Sequence, residues 1–237
     1  AWYGLDNPNP APGDLPAYVA QARAFATTQY APAVAQFIAG GAPPSSALLA
    51  ALVDMTGLTL GNWQRRFNMG AVTYQQNLIP GTLIGLYDAR VSAPVGGALA
   101  SEGDPSSTFI NAGFASGITS WLASGLGYTT PSNYVLLGNA IANWTFRHDA
   151  HALPDTIPDL AAAMLQNPQL KVLSLNGYHD LVTPFFQTEQ DLARLDAGSN
   201  VETHFYLGGH MTYLDDGSLA LEKADLKAFY ARALGAP

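Results

Sequence analysis

The tract Leu170-Lys171-Val172-Leu173-Ser174-Leu175 constrains this chain more than any other. A short apolar run of this kind, closed by Asn176-Gly177, reads as a strand buried in a parallel sheet. A second run, Val201 to Leu207, ends in Gly208-Gly209-His210, and between them Pro184 leads into a helix from about Phe186 to Leu195. Strand, helix and strand in that order make a right-handed crossover with the two strands parallel. Two strands alone do not make a stable parallel sheet, which needs cover on both faces and more neighbours. The expectation is an α/β fold whose remaining strands come from elsewhere.

Upstream the texture is different. Residues 1–14 are rich in Pro, Gly, Asn and Asp and read as an irregular lead-in. From Leu15 to about Ile38 the apolar residues follow a helical period, stopped by Gly40-Gly41-Ala42-Pro43-Pro44. Ser45-Ser46 is an N-cap for a helix from about Ser46 to Met55, and Leu60 to Phe67 reads as a further short helix. Residues 81–105 are turn-rich, and Ser106 to Leu126 returns to helix with Gly127 as terminator. Residues 15–150 therefore read as mostly helical, with the change of texture at roughly 145–160. Leu160 to Leu165 and Leu219 to Leu234 are the helices expected around the two strands.

Composition narrows the function classes. Apolar residues make up 48% and charged residues 12% of the 237 positions, which argues against a disordered chain. A net charge of −8 without a Lys/Arg run argues against a nucleic-acid or anionic-membrane partner. The absence of cysteine excludes disulfides, Cys-ligated zinc, iron–sulfur clusters and thiol catalysis. No stretch approaches ~18 consecutive apolar residues, so no transmembrane helix is expected. The opening Ala1-Trp2-Tyr3, with neither methionine nor a signal-peptide pattern, reads as a processed product or a piece of something longer.

Sites in open α/β sheets lie just past the carboxyl ends of the strands. Asp180 follows the first strand and His210 the second, 210 − 180 = 30 residues on, one β–α–β step. On neighbouring strands the carboxylate would meet the imidazole, fix its tautomer and leave the other nitrogen as a base toward a hydroxyl nucleophile. The order Asp then His fits the α/β-hydrolase order Ser…Asp…His. The plainer alternative is that Asp180 starts a turn or caps a helix, while His210 sits in a glycine-rich loop for conformational reasons. No Gly-x-Ser-x-Gly elbow lies upstream. Ser116 and Ser124 lack the flanking glycines at the required offsets, and neither follows a strand.

The segment KVLSLNGYHDLVTPFFQTEQDLARL, followed by VETHFYLGGHMTYLDDGSLALEKADLKAFY, resembles the C-terminal part of the bacterial serine carboxypeptidase family. Ala1-Trp2-Tyr3 is similar to the point where those proteins leave the core for the cap. Leu86-Tyr87-Asp88-Ala89-Arg90 and Asp104-Pro105-Ser106 are similar to cap-region landmarks. The likeness covers essentially the whole chain, more loosely between residues 5 and 80. It implies an α/β-hydrolase fold, C-terminal part: a helical cap over 1–150, then the last two parallel strands with flanking helices over 151–237. Asp180 and His210 fall on the family's catalytic Asp and His. By resemblance Met211 helps form the substrate pocket, with Tyr213 beside it, although packing explains both equally well.

The family's first strands, serine elbow, oxyanion-hole donors and part of its carboxylate-gripping site are not in this sequence. The resemblance thus implies one chain of a two-chain enzyme, with a separate N-terminal chain of the same precursor carrying the nucleophilic Ser. The implied activity is removal of C-terminal residues from peptides, without a cofactor, in a periplasmic or extracellular setting. The competing expectation is a non-catalytic binding or assembly module derived from the same fold. A lesser signal is His148-Asp149-Ala150-His151, followed by Asp155, which on one helical turn could ligate zinc or another ion that takes nitrogen and oxygen ligands. The alternative there is an exposed, Pro-flanked connector. Asn143-Trp144-Thr145 is a formal glycosylation sequon.

Overall fold

The computed structural model describes residues 3, 14–132, 134–195 and 198–235. The helical segment expected from Leu15 to Ile38 is present but uneven. It runs as α1 (Leu15–Phe25), a π-helical stretch Ala26–Tyr30, and α2 (Ala31–Ile38). The irregularity precedes Pro32, whose ring and missing N–H break a regular i→i−4 ladder. The side chain of Ser45 caps α3 (Ser46–Thr56) by accepting the Leu48 N–H at 3.2 Å, and Gly57 closes that helix at φ +78°. Thr59 and Asn62 form a reciprocal capping box on α4 (Leu60–Arg65), and α5 (Ala71–Asn77) follows.

These short helices enclose the best-buried apolar cluster, Leu49, Leu52, Leu58, Trp63, Phe67, Leu78 and Ile84. Trp63 donates its Nε1–H to the Thr56 hydroxyl, so its one polar group is satisfied inside. Ile84 belongs to a feature the turn-rich reading of 81–105 does not contain. The strands β1 (Thr82–Ile84) and β2 (Ser92–Pro94) pair antiparallel, Leu83 opposite Ala93. At three residues each they are too short to show an alternating pattern, and the Gly and Pro around them read as turns. Then α6 (Pro105–Gly125) starts from Asp104, whose carboxylate accepts the Ser106 N–H at 2.9 Å.

The second half carries α7 (Ile157–Gln166), β3 (Val172–Gly177), α8 (Phe185–Leu192), β4 (Val201–Tyr206) and α9 (Asp216–Ala233). The strands β3 and β4 are parallel, with Val172 opposite Val201 and Gly177 opposite Tyr206. The architecture is mixed α/β, about 54% helical, with two small sheets. Most residues of β3 and β4 are only half-buried, and full burial is reached at their carboxyl ends. Arg23 of α1 fastens the helical region to this unit. Its guanidinium grips both carboxylate oxygens of Glu189 on α8, at 2.7 and 2.6 Å, and lies over the rings of Phe185 and Phe205. No described helix is long and apolar enough to cross a membrane.

Candidate active site

The loops that leave β3 and β4 touch, and glycine makes that contact possible. A Cβ on Gly177 would lie 2.1 Å from the carbonyl oxygen of Gly209, and one on Gly209 would lie 2.2 Å from that of Tyr87. Only hydrogen fits at either position. Beyond the strands the two segments stay paired, Tyr178 N–H to Tyr206 C=O at 2.9 Å and His179 N–H to Gly208 C=O at 3.1 Å. The next side chains to emerge are Asp180 and His210.

Asp180 is buried, 6% exposed. Its Oδ1 accepts the N–H groups of Val182 and Thr183, at 2.7 and 3.1 Å. Its Oδ2 accepts the Thr183 hydroxyl at 2.7 Å and stands 2.9 Å from Nδ1 of His210. One carboxylate oxygen of Asp180 thus closes a turn while the other meets the imidazole. An acceptor at Nδ1 selects the tautomer protonated there, which leaves Nε2 with its lone pair. Among the described residues Nε2 has no hydrogen-bond partner, and the His210 side chain is 34% exposed. The ring of Tyr87 stands edge-on to the imidazole, centroids 5.1 Å apart.

The turn at Leu86–Arg90 holds both loops. Asp104 Oδ1 accepts the Leu86 N–H, and the Ser106 hydroxyl accepts those of Tyr87 and Asp88, all at 3.1 Å. The turn then reaches out three times: Leu86 C=O takes the Leu181 N–H at 2.9 Å, Ala89 N–H goes to His179 C=O at 2.9 Å, and Tyr87 C=O takes the His210 N–H at 2.6 Å. Backbone hydrogen bonds between residues so far apart in the sequence leave no pattern in composition or periodicity, so the sequence carries no signal for them. His179, between the strand and Asp180, has its pKa pushed down to about 4, first by burial and then by the charge of Arg90.

The remaining candidates separate. Met211 is half-buried and Tyr213 is 46% exposed, on the segment that follows His210. A mostly apolar cavity of about 370 Å³ lies instead under the loop after β3, between Tyr18, Ala22, Met55, Tyr178, His179 and Phe185, and neither Met211 nor Tyr213 lines it. Ser116 and Ser124 sit within α6, their hydroxyls bonded to that helix's carbonyls of Gly113 and Ser120. His148 and His151 are not on a helical turn. They form an antiparallel bridge around Asp149 and Ala150, both at positive φ, and Asp155 pairs with Arg194. Among the described residues the donors that do converge are His148, Asp149 and Asp159, where His148 Nε2 stands in direct 2.8 Å contact with Asp159. No family model, curated protein or solved structure matches the chain.

Proposed function

We propose that this chain supplies the Asp and His of a Ser-His-Asp hydrolase of α/β-hydrolase fold, a serine carboxypeptidase that removes C-terminal residues from peptides. The observation that carries the reading is the 2.9 Å contact of Asp180 Oδ2 with His210 Nδ1, past the carboxyl ends of adjacent parallel strands. Nε2, without a hydrogen-bond partner among the described residues, is the atom a base needs. The resemblance of the flanking segments to bacterial serine carboxypeptidases supports the choice of reaction.

In this mechanism Nε2 of His210 takes the serine hydroxyl proton as the serine oxygen bonds to the scissile carbonyl carbon. The imidazolium gives that proton to the leaving amine as the C–N bond breaks. Water then repeats the cycle on the acyl-enzyme, with His210 again taking and returning a proton. Asp180 orients the imidazole and faces the imidazolium that forms. Nucleophile, base and hydrogen-bond donors suffice, so no cofactor enters. Met211 and Tyr213, next to the base, flank the peptide's path in this scheme.

The serine belongs to a separate N-terminal chain of the same precursor, which also extends the sheet, in a periplasmic or extracellular setting. Two observations support a partner. Among the described residues the hydroxyl that hydrogen-bonds to the dyad, that of Thr183, stands on the Nδ1 side of the ring, 3.3 Å away. Apolar side chains along α6 and α7 are also uncovered, with Phe109 61%, Trp121 56% and Leu165 82% exposed. The test is intact-mass analysis of the native assembly together with release of the C-terminal residue from an N-blocked dipeptide. A second, serine-bearing chain and turnover are expected. A cooperatively folded monomer of this chain alone that lacks turnover contradicts the proposal.

A further inference from the structure

We infer that Arg90 is a positioning residue for the Asp180–His210 pair, acting by locking the turn at Leu86–Arg90 against the segment that follows His210. The guanidinium touches neither member of the pair. It binds Asp88 through Nε at 3.0 and 3.3 Å and through Nη2 at 2.7 Å, while the Arg90 N–H reaches Asp88 Oδ1 at 3.0 Å. That closes the turn on itself. Its Nη1 extends the other way, to Asp215 Oδ2 at 2.9 Å. Asp215 comes five residues after His210 and caps α9 by accepting the Ser218 N–H and hydroxyl, both at 2.9 Å. One side chain therefore ties the turn to the start of a long helix.

His210 lies between those two anchors, its N–H on Tyr87 C=O and its ring against the Tyr87 ring. The same turn holds the Asp180 loop through Leu181 and His179. The separation of carboxylate and imidazole is set by where this turn sits relative to the His210 segment, and Arg90 fixes that relation. The three side chains are each a quarter exposed or less, which keeps the network from full solvent screening. A lysine cannot reproduce it, because one ammonium does not span two carboxylates in a planar fork. Geometric control of a catalytic pair is steep: a displacement near 1 Å costs on the order of 100-fold in rate.

The catalytic consequence rests on the hydrolase reading, but the geometric one does not, and the experiment separates them. The native assembly, with histidine 15N-labelled, is examined by NMR for the deshielded Nδ1 proton shared between His210 and Asp180, alongside kcat and KM. Circular dichroism and thermal melting report the fold. In Arg90→Met the resonance is expected to broaden away and kcat to fall on the order of 10–100-fold with KM little changed, while the circular dichroism stays native. Arg90→Lys should restore neither fully. Should Arg90→Met fail to fold, Asp215→Asn serves, since asparagine still caps α9 and only the link to Arg90 is weakened. It is expected to weaken the resonance. An unchanged resonance in folded Arg90→Met, or in Asp215→Asn if the former does not fold, overturns the inference. Wild-type protein that shows the resonance without turnover contradicts the hydrolase reading alone, and the variants' resonances then still decide the role of Arg90.

Discussion

The carbonyl oxygen of Tyr87 accepts the main-chain hydrogen of His210 at 2.6 Å, and the Tyr87 ring stands edge-on to the imidazole it thereby supports. A residue in the turn that joins the two strands of the small antiparallel sheet thus holds the base at the end of the parallel one. Strand-end topology brings Asp180 and His210 near each other, and this crossing contact fixes how they face.

Replacing Asp180 by asparagine keeps the shape and one acceptor for the Val182 and Thr183 N–H groups. It puts an amide where Nδ1 needs an acceptor, so the imidazole takes the other tautomer and Nε2 becomes a donor. The expected fall in kcat of the native assembly is about 10⁴-fold, with about 1–3 kcal/mol of stability lost from the disturbed buried hydrogen bonds. Steady-state kinetics and urea unfolding measure the two. A fall of less than about tenfold would show that Asp180 only closes a turn.

The glycine contacts predict a packing failure at a defined place. Gly177→Ala sets a methyl against the carbonyls of Gly209 and Gly208, at 2.1 and 2.5 Å, where no flexible side chain can yield. The expected loss is about 3 kcal/mol, read from the urea midpoint. Gly113→Ala, within α6 and with nothing near its Cβ, is the control and should be neutral or mildly stabilising.

How much of this was legible depends on how local each signal is. The strands β3 and β4 and the helix between them announce themselves through short apolar runs closed by glycine, and their parallel pairing follows from the crossover. The proximity of Asp180 and His210 followed from the same logic. The strands β1 and β2 did not show, because three-residue strands flanked by Gly81 and containing Pro94 look like turns. The π-helical stretch before Pro32 was hidden inside an otherwise regular period. The bridge at His148–His151 depends on Asp149 and Ala150 adopting positive φ, which residue types do not announce for alanine. The roles of Tyr87 and Arg90 could not be read at all, since they depend on which loop lies over which.

His179 makes stability depend on pH. Its pKa falls from 6.5 in the ordinary state to about 4 in the fold, chiefly through burial and then through Arg90. Below pH 6.5 the unfolded chain takes up a proton that the folded one refuses, so this group's contribution is lost as pH falls from 6.5 through 4. His179→Asn should flatten the decline of melting temperature across that window. A decline of the same size in the variant would assign it to other groups.

Asp215 acts at lower pH. The Ser218 N–H, and next the Arg90 guanidinium, hold its pKa down to about 2 from 3.8. Its stabilisation is complete above 3.8 and disappears as pH drops through 2. In Asp215→Asn the melting temperature should therefore change less between those two pH values than in the wild type, which differential scanning calorimetry can follow. Equal slopes would remove Asp215 from the acid limb.

Arg23 is expected to hold the helical region onto α8 by geometry as well as charge. Arg23→Lys keeps the charge but loses the two-pronged grip on Glu189 and the stacking over Phe185 and Phe205, and should cost about 1 kcal/mol. Arg23→Ala leaves Glu189 unpaired and should cost about 2 kcal/mol. Equal costs for the two variants would mean that the fork contributes nothing beyond its charge.

The most direct measurement is fluorophosphonate labelling of the native assembly, with the modified residue located by mass spectrometry. The expected result is a single labelled serine outside these 237 residues, with labelling abolished by His210→Ala. Labelling that survives His210→Ala undiminished, or that falls on Ser116 or Ser124, would contradict the assignment of His210 as the base.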